Sequence, residues 1–96
     1  MGHARTAIAD ARDDGAGALA PQRLQMAEQK YSNGQAELQK GDSDGNEQAG
    51  RLFEEAEADA RLASATSLAQ KAQNAAAELQ QRRQQQQAPS RSSGAM

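Results

Sequence analysis

The chain has 96 residues, 36% of them hydrophobic, with a formal charge of −2 and a mean hydropathy of −0.95. That length holds a single domain. Interspersed acids and bases exclude the clustered basic face of a nucleic-acid binder, and the lack of cysteine excludes disulfides, thiolate zinc sites and cysteine nucleophiles.

No apolar run nears the roughly 20 residues of a membrane span, and no signal-peptide core is present. Tyr31 and Phe53 are the only aromatic residues, so alanine supplies much of the apolar surface. A large side chain contributes about 1.5–3 kcal/mol when fully buried, and alanine far less. The composition therefore predicts a thin fold of two or three closely pressed helices, marginal enough for self-association or a partner to add burial.

Met1-Gly2-His3 reads as a tag-like start, ahead of a helical domain over 4–87. A first, short helix over about 4–14 carries Ala4, Ile8 and Ala11 on one stripe. Gly15-Ala16-Gly17 should stop it, since glycine costs about 1 kcal/mol inside a helix. Pro21 suits the first position of a second helix over about 21–40. Leu24, Ala27, Tyr31, Gly34 and Leu38 alternate spacings of three and four along it, a heptad-type seam. Gly34 on that seam permits close approach of a neighbour. Asn33-Gly34 also fits a hairpin turn, but its flanks are helix formers. Lys40-Gly41 is a helix exit, and Asp44 with Glu47 three residues on resembles a capping box.

The third helix, over about 44–86, runs unbroken to the glutamine tract and should stop before Pro89. It leaves a small, polar, disordered tail over 88–96. The fold class expected is all-α: an antiparallel helical hairpin with a short N-terminal helix and a long C-terminal one. The long helix bears two apolar stripes. Ala49, Leu52, Phe53, Ala56, Ala60 and Ala63 form one, facing the second helix across a short turn. Ala58, Leu62, Ala65, Ala69, Ala72, Ala76 and Leu79 form the other, rotated about the axis and shifted toward the C-terminus. The first helix or a second copy of the chain would cover it, and these seven residues are the candidate interaction face.

Residues with chemistry to offer are sparse. His3 is the one histidine. Asp42, Asp44 and Asn46 alternate like the opening of a calcium loop, yet the glycine and glutamate that such a loop requires are misplaced. Glu54, Glu55, Glu57 and Asp59 lack the histidines of a di-iron site. They read as a solvated face with Arg51 and Arg61, Glu57 pairing with Arg61 at i, i+4. No base stands ready to activate Ser64, Thr66 or Ser67. No catalytic, metal or cofactor site is expected. The run from Gln80 to Gln87 reads as the solvated end of a helix fraying into a linker, the alternatives being coiled-coil continuation or a basic spot for a partner.

Ala11-Arg12-Asp13-Asp14, then Ala20-Pro21 with Leu24, Ala27 and Lys30, then Leu38 and Gly41-Asp42, and finally Glu54 to Ala63 (EEAEADARLA) together resemble the DUF4398 family, from about Ala7 to Leu79. Ser43-Asp44-Gly45-Asn46 departs from the family pattern, which favours an aromatic residue and a tighter turn there. The resemblance implies a periplasmic, outer-membrane-associated location, often in lipoproteins, with the targeting segment absent from this chain. It also implies a link to peptidoglycan through an OmpA-like domain absent here, and it brings no catalytic residues. The helix pair resembles a tetratricopeptide unit as well, although a binding groove takes about three such repeats. The function expected is a non-catalytic structural or scaffold segment of the cell envelope that spaces or docks other domains. The alternative is a protein–protein interaction module, binding an envelope protein or a second copy through the Ala/Leu stripe.

Overall fold

A computed structural model describes the backbone of residues 2–95 and the side chains of residues 2–86. Four α-helices follow in order: α1 (Gly2–Asp13), α2 (Ala16–Leu19), α3 (Pro21–Gln39) and α4 (Ser43–Ala95). No strand occurs among the described residues. The all-helical expectation holds, with four helices in place of three. The long helix does not stop before Pro89 as expected but continues to Ala95, across most of the stretch expected as a tail over 88–96; Met96 lies outside the described residues.

The extra element sits in the glycine-rich break. Gly15 adopts a φ of 93°, a left-handed conformation that ends α1. The chain then takes one more helical turn, with Leu19 N–H donating to the Gly15 carbonyl at 3.0 Å and Ala20 N–H to that of Ala16 at 2.8 Å. Ala16 is fully buried. One glycine therefore stops the helix, and Gly17 is absorbed into α2.

Contacts between α3 and α4 step backward along one helix as they step forward along the other. An added Cβ on Gly45 would lie 2.5 Å from the Glu37 carbonyl oxygen, and one on Gly34 would lie 2.8 Å from the Phe53 ring. Lys30 Nζ is 2.7 Å from Asp59 Oδ2. The hairpin is antiparallel. Helix α1 lies in its groove, parallel to α4, with Ala4 beside Ala49, Phe53 and Ala56. Ala7, Ile8 and Ala11 join Leu24, Ala27, Ala60 and Ala63 further along. Tyr31 packs against both clusters, its ring 5.3 Å from that of Phe53.

Ten of the thirteen buried hydrophobic residues are alanines, and only Ile8, Leu24 and Phe53 are large. Small side chains let helix axes approach to the low end of the usual 8–10 Å. The particle measures 82 × 16 × 14 Å with a radius of gyration of 21.6 Å. A compact 96-residue domain would have about 12–13 Å, and the excess comes from α4. Its 53 residues span about 80 Å at 1.5 Å per residue.

The turn into α4 differs in detail from the sequence reading. Gly41 takes a φ of 73°, as its place after Lys40 suggests. Asp42, and not Asp44, caps the helix: its Oδ1 accepts a 2.6 Å hydrogen bond from Gly45 N–H, three residues on. Gly45 is thereby held inside the first turn of α4 against the end of α3, where no side chain would fit.

Candidate interaction face on the long helix

Helix α4 passes through two environments. Ala49, Phe53, Ala56, Ala60, Ala63 and Ser67 are buried at spacings of three and four, one continuous face turned toward α1 and α3. Leu52, expected on that stripe, is only half-buried. Ser67 is completely buried, and its hydroxyl donates to the Ala63 carbonyl at 2.8 Å, so no polar group is stranded. One turn further, the Lys71 stem lies over Gly15. A Cβ there would be 3.2 Å from Lys71 Cε. This places a cation at the carbonyl end of α1, where the helix dipole favours it. From Leu68 to Gln86 every residue is exposed. The bundle ends at Ser67 and Lys71, and α4 continues as a single helix for about 28 Å over those 19 residues.

All seven residues of the second stripe, Ala58, Leu62, Ala65, Ala69, Ala72, Ala76 and Leu79, are exposed. Leu62 is 43% accessible and Leu79 51%. At 100° per residue they lie about half a turn from the buried face, on the back of α4. Helix α1 does not cover them. In the hairpin groove it touches two helices at once, whereas the back of α4 would offer it one. Leu68, 51% exposed, sits at the edge of the stripe and was missed in the sequence because it falls outside the strict three-four spacing. Of the five large hydrophobic side chains exposed among the described residues, three, Leu62, Leu68 and Leu79, lie on or beside this alanine row.

Several polar side chains of the head pair with one another. Lys30 of α3 reaches Asp59 at 2.7 Å and Glu55 at 3.7 Å on α4. Asp59 therefore does not belong to a solvated face, its side chain being only 14% exposed. The hydrogen bond that Lys30 donates to Asp59, helped by the charges of Asp59 and Glu55 and opposed by partial desolvation, raises the Lys30 pKa. Arg61 pairs with Glu57 one turn earlier, as the spacing predicts, and Arg12 with Glu28 ties α1 to α3 at 3.1 Å. A shallow groove between α1 and α4 gathers His3, Thr6, Asp10, Asp14, Arg61 and Ser64. Gly2 and His3, read as tag-like, lie within α1. No group of three or more His, Asp or Glu able to hold a metal ion occurs among the described residues, and no helix there is long and apolar enough to cross a membrane.

Fold and face together define an elongated helical protein, a three-helix head from which one long helix projects with an uncovered apolar back. The chain belongs to the DUF4398 family, a domain of unknown function, whose family model matches residues 1–79. That match takes in the whole head and the arm as far as the last leucine of the stripe. No curated protein and no solved structure matches the chain.

Proposed function

We propose that this chain is a non-catalytic structural segment of a bacterial cell-envelope protein, a helical head bearing an arm that spaces or docks other domains. The observation that carries the reading is the departure of α4 from the bundle at Ser67 and its continuation as a single exposed helix. A spacer needs length at little cost in chain, and one α-helix gives 1.5 Å per residue with every backbone group satisfied internally. Periplasmic, outer-membrane-associated placement, and a link to peptidoglycan through a further domain, rest on resemblance to the family and belong to the same proposal.

A second reading is favoured by the exposure of Leu62, Leu68 and Leu79: the arm is an interaction module whose apolar back receives a partner. Insertions into the arm after Gln73 separate the two. Seven added residues lengthen it by about 10 Å and keep the stripe in phase, while five lengthen it by about 7.5 Å and rotate the distal stripe by about 140°. A spacer responds to length, a docking face to phase, read as rescue of a deletion strain's envelope integrity. Fractionation of the host cell tests location. Recovery of the protein with cytosolic markers would refute the envelope reading.

A further inference from the structure

We infer that the occupant of the α4 back is a second copy of this chain, lying antiparallel, so that each arm runs along the head of the other. The inference rests on the docking-arm reading and adds the identity and direction of the partner.

Charge supplies the argument that apolarity alone does not. Between Leu68 and Gln86 the arm carries Lys71, Arg82 and Arg83 against the single acid Glu78, whereas residues 1–67 hold twelve acids and seven bases. Acidic head and basic arm are joined by one uncovered apolar seam. Ala58, Leu62, Ala65, Ala69, Ala72, Ala76 and Leu79 keep a strict alternation of four and three, the spacing that keeps a seam facing a partner helix. Two copies aligned with Ala69 of one against Ala65 of the other bring Leu62 to Ala72 and Ala58 to Ala76. The same register sets Arg82 at the seam edge beside Glu54, twice per dimer. Arg83 then falls opposite Arg51 at the end of the seam, flanked within a turn by Glu47, Glu54 and Glu55. Sliding one copy by a heptad would put Arg82 beside Arg61. A parallel pair would set Arg83 against Arg83, Glu55 against Glu55 and Glu54 near Asp59. Sliding an antiparallel copy the other way would set Arg82 beside Glu47 but leave only Ala58 to Ala69 of the apolar row paired with itself. The first arrangement is the one that joins opposite charge at the seam edge to the longest apolar overlap. The heads, on the opposite side of α4 from the seam, stay clear of one another, and the alanines allow the close axial approach that the narrow stripe needs.

Light scattering across micromolar to millimolar protein tests this, with single-cysteine variants made simple by the absence of native cysteine. The expected mass is twice the 10.2 kDa of the chain at the upper concentrations. Ala58→Cys mixed with Ala76→Cys should give a mixed disulfide, and neither alone a disulfide dimer. Arg82→Glu alone and Glu54→Arg alone should each lower the dimer fraction, and mixing the two variants should restore it, because both ends of the mixed pair regain opposite charges. Arg82 and Glu54 are exposed and unused in the head, and an unchanged helical circular dichroism spectrum verifies folding. A mass other than two chains, disulfides from each single variant alone, or no response to charge reversal would overturn the inference. A monomer with a radius of gyration near 21.6 Å would sink the second copy and leave the docking arm standing. A compact monomer would sink both.

Discussion

Phe53 and Gly34 are predicted to be coupled strongly enough to reverse the sign of a mutation. The Phe53 ring lies over Gly34, where an added Cβ would sit 2.8 Å from Cε1 and 3.0 Å from Cδ1. The ring cannot swing freely away, being 8% exposed and stacked at a 50° tilt against Tyr31. Glycine inside α3 costs about 1 kcal/mol relative to alanine, so an unobstructed Gly34→Ala would stabilise by about that amount. Overpacking of a filled site costs about 1–3 kcal/mol, which equals or exceeds the gain. Gly34→Ala in the native sequence should therefore be neutral to destabilising by about 2 kcal/mol. Phe53→Ala should cost about 3–5 kcal/mol, a large share of the stability of a chain whose core has three large side chains. In the Phe53→Ala background the space over Gly34 is open, and Gly34→Ala should then stabilise by about 1 kcal/mol or more. Urea unfolding of the four proteins at low temperature, followed at 222 nm in sucrose to keep the weakest folded, gives the coupling energy directly. Equal stabilisation by Gly34→Ala in both backgrounds would refute the close approach of ring to backbone.

Three further predictions concern single interactions. Asp42→Ala removes the acceptor of the Gly45 N–H bond and should cost about 1 kcal/mol in urea melts, whereas Asp44→Ala should change stability by less than half of that. Because pairing raises the Lys30 pKa, its contribution is complete below the unfolded lysine value of about 10.4 and fades as pH climbs through the raised folded value. Wild type should thus lose its advantage over Lys30→Met above about pH 10.5, and a stability difference constant to pH 12 would contradict the Asp59 pairing. Ser67→Ala keeps the Ala63 carbonyl within the helix ladder and removes a buried hydroxyl, so thermal melts should show a change within about 0.5 kcal/mol. Ser67→Leu, by contrast, should destabilise by overpacking a site with no accessible surface.

The parts of the fold legible in the sequence are those decided locally. Gly15, Pro21 and Gly41 mark helix ends through backbone properties of their own, and all three stand at helix ends in the structure. The first α4 stripe was readable because three-four spacing is a property of one helix. What the sequence hid was decided between helices. Asp42 and Asp44 are both chemically able to cap, and the choice was made by the crowding of Gly45 against the Glu37 carbonyl. Asp59 looks like one acid in a solvated run until α3 brings Lys30 beside it, 29 positions away. The stripe of α1 fits either face of α4, and only the groove formed by the hairpin decides between them. The seven residues of the candidate face were identifiable from spacing, but their exposure was not, because it depends on where α1 went.

A single helix projecting from so small a head still needs a reason to remain helical. An isolated segment of the arm's length is marginal in water, chiefly because its first turn must be nucleated at a penalty of about 10⁻³ in equilibrium constant. Helix α4 avoids that penalty, since its turns over Ala49 to Ser67 are formed by burial against α1 and α3 and the arm only propagates them. Propagation favours Ala, Gln, Leu, Lys, Glu and Arg, and residues 68–86 contain these types with Asn74 the one exception. The alanines thus serve two different ends along one helix. Before Ser67 they let three helices close into a thin core. Beyond it they keep an unsupported helix wound while leaving a narrow apolar face that another helix can approach closely.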